Sequence, residues 1–139
     1  MEVAKIGKME NTKIKTFENL RVYQMVREFS SKVQELISKL PSEEKYALAP
    51  QMRKAKLSVT NNIAEGYGRY HFQENMQFCR QSRGSIYELI DDFIECFDYG
   101  YITESECKEF KEEAYDLIKM LNAYIAKTRR MKEDYENSG

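Results

Sequence analysis

The sequence has no tryptophan, one histidine (His71), two prolines, six glycines and three cysteines in 139 residues. Each scarcity excludes something. Many-turned sheet folds, low-complexity chains and collagen-like repeats need far more proline and glycine, so long helices become the expectation. One histidine leaves no Glu-x-x-His pair, which removes the carboxylate and histidine metal centre that many four-helix bundles house. Cys79, Cys96 and Cys107 are too few and too widely spaced for a zinc motif. Their odd number also argues against a secreted disulfide framework, and they read as reduced, packed thiols. No apolar run approaches the roughly 20 residues of a membrane span, and Met1–Thr16 alternates lysine with polar residues instead of forming a signal-peptide core. A cytoplasmic chain without membrane contact is expected. A phosphate-cradling G-x-x-x-x-G-K-[ST] loop, a G-x-S-x-G elbow and a supported Cys-His pair are also missing, so no catalytic residue, metal or cofactor is expected and the chain does not read as an enzyme.

Apolar residues spaced three and four apart are plentiful, and they fall into four segments of one domain. The first places Leu20, Tyr23, Val26, Phe29, Val33, Leu36 and Leu40 on one side and ends at Pro41. The second carries Met52, Ala55, Val59, Asn62 and Gly66, a thin and partly polar seam. In the third, Phe72, Met76, Cys79, Arg83, Ile86, Ile90, Phe93 and Phe97 alternate by four and three, with Arg83 where an apolar residue belongs. The fourth repeats the pattern from Phe110 through Leu117, Leu121 and Tyr124 to Tyr135. Near-regular heptads and short connections predict an all-α, antiparallel, up-down-up-down four-helix bundle with a left-handed twist over residues 17–135. Ser42 is placed to cap after Pro41, Thr103 with Glu106 to cap the last helix, and Gly100 to stop the third. Pro50 removes a backbone donor, so regular helix is expected only from Pro50 onward, after a short turn over residues 42–49. Residues 1–16 lack a seam and read as a flexible N-terminal tail, and residues 136–139 as a disordered C-terminus.

Formal charge totals −1, but it is unevenly spread. Between residues 51 and 83, Arg53, Lys54, Lys56, Arg69, Arg80 and Arg83 stand against only Glu65 and Glu74. Between 84 and 116, eleven carboxylates stand against two lysines. The six cations are candidate phosphate contacts for a nucleic acid. A solvated surface whose charges pair within the bundle explains the same distribution, and a pI near 6.0 is low for a nucleic-acid domain. Among the carboxylates, Glu88, Asp91, Asp92 and Glu95 are a conceivable divalent-cation site; a solvated face is the simpler reading.

Ser58, Asn62, Glu65 and Arg69 recur by four, three and four along one face of the second helix. The third supplies Arg83, Ser85 and Glu88. Together they are expected to form a structural polar network, with Glu65 reaching Arg83 or Arg53 reaching Glu88, and Gly66 and Gly84 allowing close approach. Tyr67 and Tyr70 flank Arg69, an arrangement that suits either base stacking or stapling of the junction.

The string Asn61-Asn62-Ile63-Ala64-Glu65-Gly66-Tyr67-Gly68-Arg69, with Arg53, Ala55 and Ser58 before it and Gly84-Ser85 and Glu88 after, resembles the signature of bacterial four-helix-bundle proteins encoded in intervening sequences of 23S rRNA genes. Phe17-Glu18-Asn19-Leu20-Arg21-Val22-Tyr23 resembles the start of that family's first helix. The resemblance runs from about Phe17 to Tyr124. It implies an antiparallel bundle that assembles into a ring-like homo-oligomer, a pentamer, with no known reaction. The fold is also similar to that of a retroelement accessory protein that binds a reverse transcriptase and nucleic acid, so RNA or a ribonucleoprotein is the implied partner. The alternative is a protein-interaction scaffold without nucleic-acid affinity, docking a basic partner on the acidic faces of the third and fourth helices. The family commonly has a proline where Val59-Thr60-Asn61 stands here, and Pro50 is a second departure.

Overall fold

The computed structural model describes residues 15–138. Within them the chain forms four α-helices and no strand: α1 (Arg21–Ser38), α2 (Leu48–Gly68), α3 (Phe72–Asp98) and α4 (Glu104–Ser138). Single 3₁₀ turns at Phe17–Asn19 and Ser42–Glu44 precede α1 and α2. Apart from Lys15 and Thr16, the expected N-terminal tail lies outside the described residues. At the other end α4 is helical through Ser138, so residues 136–138 continue the helix where a disordered end was expected.

Each helix packs on its neighbour in the chain, and α1 also meets α4. One core runs between them. Val26, Phe29 and Val33 of α1, Met52, Val59 and Ile63 of α2, Ile86, Leu89 and Phe93 of α3, and Leu117 and Leu121 of α4 are all buried. Most of the expected seams therefore point inward. Arg83 is the expected exception: it lies half-buried, and its guanidinium reaches out to donate to Asn122 Oδ1 on α4 at 2.7 Å. α3 buries a second row, Ser82, Ser85, Asp92 and Cys96, because it packs against α2 on one flank and α4 on the other.

The ends of the helices follow local chemistry, with two corrections. Gly100 adopts φ 79°, and the Tyr101 and Gly100 N–H groups donate to the Cys96 and Phe97 carbonyls, which closes α3 in a Schellman turn. At α4, the Glu106 N–H donates to Thr103 Oγ1 at 3.1 Å and the Thr103 N–H to Glu106 Oε1 at 2.9 Å, a reciprocal cap that holds Glu106 below the usual carboxylate pKa. Ser42, by contrast, caps nothing with its side chain; Pro41 holds the cap position of the 3₁₀ turn. The carboxylate that serves α2 is Glu44, whose Oε1 accepts from the Leu48 N–H at 3.3 Å while its Oε2 accepts from the Tyr101 hydroxyl at 2.6 Å. This hydrogen bond pushes the Tyr101 pKa up to about 12 and joins the α1–α2 and α3–α4 connections. Pro50 stands inside α2, two residues after its start at Leu48, where the first turn has no internal partner for an N–H in any case. The helix then passes unbroken through Val59-Thr60-Asn61.

α2 and α3 approach closely at Gly66. A Cβ there would stand 2.9 Å from both Asn75 Oδ1 and Phe78 Cβ. Gly84 plays no such part, since a Cβ added to it meets nothing within 4 Å, so the expected close approach at that position is not formed. One residue beyond Arg69, Tyr70 takes φ 59°, the positive-φ region that costs an L side chain about 1 kcal/mol and that glycine enters freely.

The two helical glycines should respond oppositely to alanine. Gly66→Ala is expected to destabilise the bundle by about 1 to 3 kcal/mol, because Asn75 and the α3 backbone must move. Gly84→Ala should stabilise it by about 0.5 to 1 kcal/mol, the ordinary gain from removing a helical glycine. Urea denaturation of both variants checks the pair, and equal signs would refute the packing account.

Candidate nucleic-acid interface

The six expected phosphate contacts do not form one patch. Arg53 and Lys54 are exposed on α2. Lys56 turns toward α1, where its Nζ donates to Gln34 Oε1 at 2.8 Å; burial, and then the neighbouring Arg53, lower its pKa. Arg69 is already engaged by carboxylates, at 2.7 Å from Glu65 and 3.8 Å from Glu74, and it lies over the Phe78 ring. Arg83 points the other way, to Asn122 of α4, and Arg80 is half-buried one turn before it. These cations thus serve three different faces.

One basic concavity lies between α1 and α2, and half of it was not anticipated; a second, of about 400 Å³, carries Lys45 and Arg53 beside the α1–α2 connection. The first, a groove of about 440 Å³, is lined by Arg27, Ser30, Ser31, Gln34, Lys56, Leu57 and Thr60. Two cations and three hydroxyls face it, and no described residue lining it carries a carboxylate. Arg27 Nη1 donates to the Tyr23 hydroxyl at 3.3 Å, which steers the guanidinium along α1. Residues 17–50 sum to zero charge, so charge summed along the sequence conceals Arg27; only its pairing with Lys56 across the helices exposes the groove.

The polar network between α2 and α3 forms in part. Ser58 Oγ and Ser85 Oγ lie 2.7 Å apart, and the Asn62 amide donates to Ser58 Oγ and to the Ser58 carbonyl at 2.9 and 2.8 Å. Glu65 is not a member, since it takes Arg69 of its own helix rather than Arg83, and Arg83 leaves for α4. Glu88 is exposed, and no ion pair joins it to Arg53 among the described residues. Three members were missed. Ser82, fully buried, donates to the Val59 carbonyl at 2.7 Å, and Gln51 Nε2 of α2 donates to Asp92 Oδ1 at 2.7 Å. Ser82 and Asp92 sit on the flank of α3 that turns to α2, one three residues before Ser85 and the other seven after it, so the helical period itself held the signal.

Asp92 also corrects the solvated acidic face. Its side chain is 1% exposed, and Oδ2 has no hydrogen-bond partner among the described residues. Burial is the main cause that pushes its pKa from 3.8 up to about 6; Gln51 opposes the shift, while Asp91, Glu95 and Glu88 add to it. No group of three or more His, Cys, Asp or Glu residues among those described is placed to hold a metal ion. The three cysteines are free and buried, with burial raising the Cys79 pKa to about 11 and that of Cys96 to about 12. No helix among the described residues is long and apolar enough to cross a membrane.

A second concavity, of about 300 Å³, lies at the α2–α3 turn and is walled largely by rings: Tyr67, Tyr70, Phe72 and Tyr124, with Asn75 at its side. Arg69 and the two tyrosines that flank it in sequence therefore sit at a junction, but Arg69 is held by Glu65 and Glu74 while the rings line the cavity.

The sequence model of the family described as 23S rRNA-intervening sequence protein matches residues 18–123. Among solved structures, the chain is similar to a protein of unknown function from the S23 ribosomal protein family of Bacteroides thetaiotaomicron VPI-5482, with a TM-score of 0.69 at 18% identity over 75% of this chain and 97% of that one. At that identity the likeness speaks for the fold. No curated protein matches the sequence.

Asp92 makes stability depend on pH in a defined direction. Its folded pKa is raised, so the native state holds the proton more tightly than the unfolded chain. The stability from the neutral form is complete below about pH 4 and is lost as pH rises through about 6. The loss amounts to about 2 to 3 kcal/mol. Asp92→Asn should keep the Gln51 bond and flatten this dependence, so wild type should lose that much relative to the variant between pH 4 and pH 7 in urea denaturation. Parallel curves would refute the buried-carboxylate account.

Proposed function

The chain belongs to the 23S rRNA-intervening sequence protein family, and from that premise we propose that it is a non-enzymatic, homo-oligomeric bundle that binds RNA, alone or within a ribonucleoprotein, through backbone phosphates in the α1–α2 groove. The observation that carries the reading is the lining of that groove: Arg27 and Lys56 with Ser30, Ser31 and Thr60, Arg53 close by, and no carboxylate among them. Two fixed cations attract a phosphodiester without regard to sequence, and the Ser30 hydroxyl can turn its proton to the phosphate oxygens. Ser31 and Thr60, which donate to the Arg27 and Leu57 carbonyls, would exchange those bonds to do the same. Lys56 is held in place by Gln34, so part of the ordering cost is met before binding.

The same reading includes an up-down-up-down, left-handed arrangement. In support of it, cross-helix contacts run in opposite order along neighbouring helices: Gln51 with Asp92, Val59 with Ser82 and Gly66 with Asn75 between α2 and α3. Arg83 with Asn122 and Cys107 with Phe93 do the same between α3 and α4. Heptad spacing is the argument for the left hand. Self-association into a ring, a pentamer by resemblance, is supported by apolar side chains left outside the core and away from the groove, among them Tyr87, Ile94, Phe97 and Tyr115. Free, buried thiols suit a reducing cytoplasm.

The test is RNA affinity measured across a salt series. Arg27→Gln with Lys56→Gln should weaken binding and flatten the log–log salt slope by about 1.4 for a single strand, roughly 0.7 for each phosphate no longer neutralised. Arg80→Gln, on the far side of α3, should leave the slope unchanged, and Arg69→Gln should change it little because Glu65 and Glu74 already neutralise that residue. An unaltered slope in the double variant would sink this proposal, and sedimentation of the free protein as a monomer would sink the oligomer.

A further inference from the structure

We propose that the cavity at the α2–α3 turn receives one unpaired base of a bound RNA strand. The inference rests on the phosphate-groove reading and adds a contact of different chemistry to it. The cavity's volume, about 300 Å³, falls at the small end of ligand pockets, which suits one ring system rather than a folded partner.

Its walls are built to present ring faces. Tyr67 is backed by Phe17, with ring centroids 6.4 Å apart, and Phe72 by Tyr135 at 6.1 Å, so both are held from behind. Tyr70 has no such backing and is 89% exposed at the rim. It is also the one non-glycine residue with positive φ among those described, in a turn where glycine would sit without strain. An exposed ring kept in a strained backbone position contributes nothing to the core, whereas it can close over a base lying on Tyr67 or Phe72. Every base offers a π-face to such a stack, so the contact tolerates sequence.

The cavity also carries a polar reader. The Asn75 amide donates to the Tyr124 hydroxyl at 3.1 Å, which leaves the tyrosine's own proton for a carbonyl or ring nitrogen on the base edge. No described residue lining the cavity carries a carboxylate, and Glu65 and Glu74 beside the turn are held by Arg69, so the lining itself presents no anion to a nucleotide.

The test uses the full-length chain and two short RNA strands of equal phosphate number, one of adenines with a single 2-aminopurine and one abasic throughout. Wild type should bind the base-bearing strand about tenfold more tightly than the abasic one and quench the 2-aminopurine emission. Tyr70→Gly should erase that preference without altering abasic affinity, and its thermal melt at or above that of wild type would show it folded; Tyr70→Phe should keep the preference. Equal affinity of wild type for the two strands would overturn the base pocket and leave the groove standing, because the abasic strand still reports phosphate contacts. Failure of both strands to bind at low salt would overturn the groove reading and this inference with it.

Discussion

The approach of α2 to α3 at Gly66 is the constraint on which the rest of this molecule depends. With Asn75 Oδ1 and Phe78 Cβ only 2.9 Å from where a Cβ would stand, no other residue fits without moving α3. The close approach has consequences in both directions along the seam. Toward the middle of the bundle it lets serines meet across the helices, as Ser58 meets Ser85, and lets Ser82 reach the Val59 carbonyl. Toward the turn it brings α3 to where Asn75 meets Tyr124, and in the three-residue connection that follows α2 Tyr70 takes the left-handed region. A seam of small polar residues provides less apolar burial than leucines would, and in exchange it sets one register: across the helices Ser58 meets Ser85 and Ser82 meets the Val59 carbonyl.

Much of the architecture was legible because it is encoded locally. Gly100 stops α3 and Thr103 with Glu106 starts α4 through bonds made within a few residues, and apolar spacing reports which face turns inward whatever lies opposite. Pro50 and Ser42 depart from expectation for a related reason. A proline in the first helical turn forfeits no bond, and the cap expected of Ser42 is supplied by Glu44, a residue the periodicity does not mark.

The candidate site was less legible, because it depends on which side of a helix meets which neighbour. Glu65 and Arg83 do not share a height, since Gly66 meets Asn75 while Val59 meets Ser82, more than a turn away; Arg83 faces α4 and Glu65 stays with Arg69. Asp92 sits among solvated carboxylates in the sequence, and only its angular position, on the flank that α2 covers, buries it. The groove is hidden in the same way, since Arg27 belongs to a stretch, residues 17–50, whose charges sum to zero, and becomes informative only beside Lys56. Summing charge along a chain averages over faces that the fold then separates.

The buried thiols have a use for anyone following the protein in solution. Cys79 lies near the α2–α3 turn, whereas Cys96 and Cys107 lie toward the pole that Glu44 and Tyr101 tie together, and all three are shielded by packing. A thiol-directed reagent reaches them only when helices part, so the rate at which each is modified measures how often its own end of the bundle opens. The molecule carries a clock at each pole, and comparing the two would show which end breathes first.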